Sequence, residues 1–278
     1  VVLRAERAGV HRVVVPGVSP ASWDRARRCR DRFPRLIRLA FGLHPWALRG
    51  LDAAGRAQAL DALPQALEDG AIAVGECGLD GNLAREGGPS VDEQSVILSA
   101  QLDLAQARGL PVILHAVRAH GALLALLKTR GGPVPGVLHS YSGPAELVPD
   151  FVRLGLYLSF GGQVTNPKAV KVHKAVSVTP AARLLVESDG PDQPPFPRVT
   201  QRSEPADVAR LAAVMADLRG GVWDDPAAAL FGSALIARGL SGAHQGPKPG
   251  LKAVGLHEGQ GPAHHELFSL GPPALLKA

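Results

Sequence analysis

A single rhythm constrains this chain more than any motif. Short runs of Val, Ile and Leu recur along its 278 residues, separated by longer stretches that carry helix signals. The runs fall at residues 13–16, 37–43, 72–76, 112–115, 137–139, 156–160 and 184–187. They show little polar alternation, and strands of that kind are buried on both faces, as in a parallel sheet. Between them, Ser19 before Pro20 reads as a capped helix start. Further helices are expected at 54–68, 91–108, 121–128, 145–154 and 167–176, then at 205–218 and 226–237. A repeat of strand and helix with right-handed crossovers predicts an α/β fold, a (β/α)8 TIM barrel. An open doubly wound sheet is the rival, but it usually carries a glycine-rich phosphate turn after its first strand. The turn here, "VPGVSPAS", has one glycine.

The opening residues 3–9 read as the last turns of a helix, so the barrel is expected to lack its first strand in this chain. Residues 1–240 are expected to form the barrel. Residues 241–278, rich in Gly, Pro, Lys and His, are expected to be a mostly disordered tail. Aromatic residues make up only 4% of the chain, so Leu, Val and Ala must supply the core. The formal charge is +5, and positive charge concentrates at Arg25, Arg27, Arg28, Arg30, Arg32, Arg35 and Arg38. Such a balance favours an anionic partner such as nucleic acid, and an Arg-rich solvated helix is the plainer reading. Two cysteines with no framework spacing fit a reducing compartment. No run approaches the ~20 apolar residues of a membrane span. The expectation is a cytoplasmic protein with no membrane partner.

The polar residues fall at telling places. "AIAVGE" ends in Glu76, "PVILH" in His115, "PGVLH" in His139 and "LLVESD" in Asp189. In a parallel barrel the C-terminal strand ends converge on one face, where catalytic residues collect. Imidazole with carboxylate suits Mg, Mn, Fe or Zn without choosing among them. A shared carboxylate such as Glu76 can bridge two divalent ions, and two-metal sites polarise a phosphoryl oxygen and generate a hydroxide nucleophile at neutral pH.

"FGLHPW", "AVGECGLD", "QLDLAQARGLPVILHAVRAH", "LHSYSG" and "LLVESDGP" follow one another in an order that resembles the TatD-family metal-dependent deoxyribonucleases, amidohydrolase-like TIM barrels. The resemblance runs from about Arg12 to Leu240. It implies Glu76 as the metal-bridging carboxylate, His115 and His139 on the second metal, and Asp189 on the first metal and managing the proton of the attacking water. It implies His44 near the substrate or behind the ligands. Asp80 would orient a neighbour or serve as a turn residue, Arg118 and His120 would meet a phosphate, and Ser142 and Gly143 would shape a turn. The implied activity is hydrolysis of DNA phosphodiesters, trimming single strands from an end. Two alternatives stay open: the same barrel acting on a small ester, amide or lactone, and a catalytically impaired relative.

The sequence also departs from the family pattern. Its His-x-His strand end has no counterpart before Arg12, "DDPAAALF" lacks the asparagine usual before the final pair, and Cys77 replaces an aliphatic residue.

Overall fold

The computed structural model describes residues 1–198 and 201–220, and the backbone of 265–268. The seven apolar runs become seven strands: β1 (Val10–Gly17), β2 (Ile37–Phe41), β3 (Ala71–Asp80), β4 (Val112–Val117), β5 (Gly136–Leu138), β6 (Leu156–Phe160) and β7 (Leu184–Val186). Each pairs in parallel with its neighbours in sequence. A further short strand, β8 (His265–Phe268), pairs in parallel with the free side of β1, so the sheet order is β7-β6-β5-β4-β3-β2-β1-β8. β8 falls within the stretch expected to be disordered. The rest of that stretch and the helix expected at 226–237 lie outside the described residues.

The crossovers are helical: α1 (Val2–Arg7) precedes β1, and α2 (Pro20–Arg32), α3 (Ala53–Leu67), α4 (Gly81–Arg85), α5 (Val91–Arg108), α6 (His120–Thr129), α7 (Val148–Arg153), α8 (Val170–Val178) and α9 (Val208–Leu218) follow. Their ends are written in the sequence. Ser19 and Ser22 form a capping box on α2, Ser90 and Glu93 one on α5, and Gly109 stops α5 in a left-handed conformation. Among the described residues no helix is long and apolar enough to cross a membrane.

Two apolar clusters divide the sheet's faces. The outer one joins the strands to the helices. The inner one takes one residue from nearly every strand: Val14, Ala40, Ala73, Ile113, Val137 and Leu185. This inner layer sets the functional face, because side chains two apart on a strand share a side.

The arginine-rich segment lies elsewhere. α2 leaves the C-terminal end of β1 and runs back along the outer wall. Arg27 pairs with Asp24 and Asp69, Arg30 donates to the Asp69 carbonyl, and Arg38 donates to the carbonyls of Pro34 and Ile37. Asp69 precedes the start of β3, so Arg27 and Arg30 tie α2 to the N-terminal end of that strand.

Candidate active site

Parity explains how the polar residues converge. His115 is two residues beyond Ile113, His139 two beyond Val137, and Glu187 two beyond Leu185, so each continues an inward-facing column of the inner layer. Ala40, Gly42 and His44 follow the same spacing past the end of β2. Glu76 has the wrong parity relative to Ala73, and the strand does not end there: β3 continues to Asp80. The pairing with β4 shifts between Gly75 and Cys77, leaving Glu76 as the extra residue of a bulge. A bulge re-aims a side chain. Tight strand contact holds it. Gly78 has φ +156°, and a Cβ there would lie 2.0 Å from the His115 carbonyl oxygen. At Gly75, with φ +148°, a Cβ would meet the Ile113 carbonyl oxygen at 2.6 Å. No larger residue fits at either place.

Glu76 is the hub. Its Oε1 lies 3.2 Å from His44 Nε2, 3.0 Å from His115 Nδ1 and 2.5 Å from His139 Nε2. Two groups of donor atoms, each mutually within 4.8 Å, result: His44, Glu76 and His115, and His139, Glu187 and Asp189. All but Glu187, which lies behind His139, line one cavity of about 170 Å³, whose lining also includes Trp46, Ser140, Asp192 and Gln193. The sequence reading missed Glu187, which is 2% exposed. It accepts from the Ser140 backbone N–H at 2.6 Å and the Ser159 hydroxyl at 2.5 Å, and stands 3.7 Å from His139 Nδ1. Also missed were two buried glutamines on α5. Gln101 exchanges hydrogen bonds with the Leu43 backbone beside His44, and Gln94 does the same with the Asp80 backbone.

The remaining expected residues sort themselves. His44 is buried in the cavity wall, its Nδ1 accepting from the Trp46 backbone N–H, which gives it a place among the metal-ligand candidates. Asp80 caps α4 and accepts from Trp46 Nε1 at 2.8 Å, so it is both turn residue and anchor. Arg118 and His120, expected to meet a phosphate, do not line the cavity. Arg118 leaves β4 at φ +49° and is exposed. His120 opens α6 and is turned inward, its ring edge-on to Tyr141 at 5.3 Å. Burial, with Lys171 and His115 adding, lowers its pKa to about 4. Ser142 lines the cavity, and Gly143 leaves room for the rings of His120 and Tyr141. Cys77 is fully buried, and burial raises its thiol pKa. It is a packing residue.

The electrostatics of the cluster are those of a cation site. Burial and the neighbouring imidazoles His115 and His139 hold His44 at about 4. Burial opposes charge on His139, but the Glu76 and Glu187 carboxylates overcome it and raise that pKa well above the usual value. Burial likewise opposes charge on Glu76, and the surrounding imidazoles overcome it, keeping the carboxyl well below its usual range. Burial, with Glu187, Glu76 and Asp192 adding and His139 opposing, pushes Asp189 up to about 7. His115 Nε2 is buried without a hydrogen-bond partner, 3.8 Å from Asp80 Oδ2. Converging carboxylates, an unpartnered imidazole nitrogen and an oxygen-nitrogen donor set fit divalent cations.

Three residues at the rim, Ser140, Asp189 and Gln193, hold positive φ values of 47°, 48° and 52° without being glycine. Gln193 donates to both Asp189 and the Ser140 hydroxyl. Backbone of this kind persists where the surroundings over-determine it, typically at functional sites.

A parallel α/β barrel sheet with histidine and carboxylate donors at successive strand ends defines a metal-dependent hydrolase. The protein family described as "TatD related DNase" matches residues 1–232. This chain therefore belongs to that family. It is 36% identical over 231 residues to the metal-dependent hydrolase YjjV of Escherichia coli, covering 82% of this chain and 86% of that protein. It is 35% identical over 227 residues to the 3'-5' ssDNA/RNA exonuclease TatD of Klebsiella pneumoniae, covering 79% and 83%. The crystal structure of the E. coli YjjV protein superposes with a TM-score of 0.73 at 33% identity, over 84% of this chain and 89% of that one.

Proposed function

We propose that this metal-dependent hydrolase cleaves phosphodiester bonds of single-stranded DNA, removing nucleotides from an end, with two divalent cations held between the strand ends. The observation that carries this is the pair of donor groups joined at Glu76 Oε1, five of whose six residues, His44, Glu76, His115, His139 and Asp189, line one cavity. The Klebsiella relative is named a single-strand exonuclease, and the shared family makes that substrate class the first to test.

In this reading Glu76 would contribute to holding both cations, His115 and His139 would hold one, and Asp189 would hold the other, with His44 beside Glu76. What such cations would supply there is polarisation of the phosphoryl oxygens and a lowered pKa of the attacking water. The protein's own groups do the rest. Asp189, at the cavity beside Glu76 and His139, accepts the proton of that water. Glu187 fixes the His139 ring through Nδ1, leaving Nε2 for the cavity. Gln193 holds Asp189 in place. The two cysteines, one half-buried and one buried, carry no disulfide, which suits a cytoplasmic setting.

The deciding experiment incubates purified protein, stripped of metal and then supplied with Mg, Mn or Zn, with end-labelled single-stranded DNA, RNA and small esters and amides. Metal-dependent shortening of the oligonucleotide is expected, and Asp189→Asn should abolish it. Turnover of the esters or amides with intact oligonucleotide would overturn the reading.

A further inference from the structure

Trp46 is more exposed than its structural duties explain. Its indole N–H is committed to Asp80, and its ring packs against His44 at a centroid distance of 4.8 Å and near His115 at 6.2 Å. Yet 45% of the residue remains exposed. It is held firmly, in the short 3₁₀ turn Pro45–Leu48 whose flanking residues Pro45 and Leu48 are buried. The ring also borders two hollows. One is the ligand cavity. The other is a larger groove of about 580 Å³, lined further by Arg49, Asn82 and Glu86. Trp46 is therefore the partition between the donor cluster and an open groove, in which Arg49 is the cation and Asp80, already bound to the indole N–H, and Glu86 are the carboxylates.

We propose that the Trp46 indole is the stacking platform for the base of the nucleotide adjoining the scissile phosphate, and that the strand continues along the groove past Arg49 and Asn82. This rests on the nuclease reading above and names its substrate subsite. The ligand cavity is smaller than the groove, so the cluster receives the phosphate while the bulkier base lies outside, against the ring. Every base has a π-face, so an aromatic platform binds single strands without reading their sequence. A ring pinned at its N–H and at both ends of its turn loses little freedom on binding. Among the described residues Arg49 pairs with Glu86, at 2.7 Å, and both side chains are more than half exposed. Such a pair contributes little stability, so a backbone phosphate can take the guanidinium from Glu86.

The test is a cycle of protein and substrate changes. Wild type, Trp46→Phe and Trp46→Ala are assayed on oligothymidylate and on the same oligonucleotide with abasic sites at its terminal positions. Trp46→Ala should lower kcat/KM on the intact strand about tenfold, chiefly through KM, and have a much smaller effect on the abasic strand. Trp46→Phe, which keeps the ring face and loses the N–H, should retain most of the preference for the intact strand. Equal losses on both strands, or a Phe variant as impaired as the Ala variant, would mean that Trp46 acts through Asp80 and His44, and would overturn the proposal. Fluorescence polarisation of labelled oligothymidylate on metal-free protein gives a readout without turnover. A Kd about tenfold weaker in Trp46→Ala is expected, and an unchanged Kd overturns the platform. Ring-dependent binding with no cleavage by wild type would sink the nuclease reading and leave the platform standing. Absence of both binding and cleavage sinks both.

Discussion

The two halves of the site are built differently. His44 follows β2, and Glu76 and His115 lie on β3 and β4, which approach so closely that only glycine fits at 75 and 78. There one carboxylate is shared by imidazoles, and burial is nearly complete. His139, Glu187 and Asp189 follow β5 and β7, strands of three residues each. They sit on or beside loop backbone with positive φ, and two carboxylates face one imidazole. The first half is rigid and close to charge balance. The second carries the excess negative charge. On the proposed two-cation reading, the first half would set geometry and the second would depend more on a bound cation.

The halves meet at Glu76 Oε1, so that residue should give the largest effect. Glu76→Gln removes the charge and puts an amide group among three imidazoles, and activity on single-stranded DNA should fall at least about a thousandfold. Metal analysis should show loss from both halves together. Retention of a full metal complement with activity would break the idea that the halves share a hub.

Gly78→Ala probes the first half alone. The added methyl group would overlap the His115 carbonyl oxygen, 2.0 Å from its ideal position, at a φ of +156° that favours glycine. Separation of β3 from β4 should cost about 3 kcal/mol in denaturant unfolding. A change below about 1 kcal/mol would show that this half is less tightly determined than its packing implies.

Much of the architecture was legible because burial on both faces writes itself as unbroken apolar runs. The site was legible where such a run ends in a metal-binding type, as at His115 and His139. The rule of run ends also has limits, and they are physical. It pointed to Asp189 and passed over Glu187, although strict alternation from Leu185 turns Glu187 inward. It reached Glu76 without the means, since only the bulge after Gly75 turns that side chain toward the cavity, and a bulge depends on the partner strand. The arginine-rich segment was legible only as charge, because charge has no address until topology supplies one: Arg27 and Arg30 turn out to be tied to Asp69, ahead of β3. His120 misled because adjacency in sequence to a ligand strand says nothing about a ring that opens a helix and packs on Tyr141.

Glu187→Gln tests the second half at moderate cost. Its oxygens hold the Ser140 N–H and the Ser159 hydroxyl and face His139 Nδ1. Loss of such support behind a metal-ligating histidine costs about 10–100-fold in metal affinity or activity. Isothermal titration with Mn or Zn should show the weakening, while the unfolding midpoint of the metal-free protein moves little. Unchanged affinity would make Glu187 a packing group.

The smallest expected effect separates the halves most sharply, because its sign is unusual. Asp189 is pushed up to about 7 in the folded chain, by burial first and then by Glu187, Glu76 and Asp192. An unfolded aspartate titrates near ~3.9. Between those values the folded state binds more protons than the unfolded state, so stability of the metal-free protein falls as pH rises from about 4 to about 7. Below that window Asp189 is protonated in both states and the contribution is unchanged. Asp189→Asn removes the titration, and the metal-free variant should be more stable than wild type at pH 7, by at least about 1 kcal/mol, even as it loses activity. Denaturant unfolding at several pH values in the presence of chelator would reveal it, and added metal should reverse the order by stabilising only the wild type. A variant less stable than wild type at pH 7 without metal would mean that the second half is balanced on its own, and the contrast between the halves would collapse.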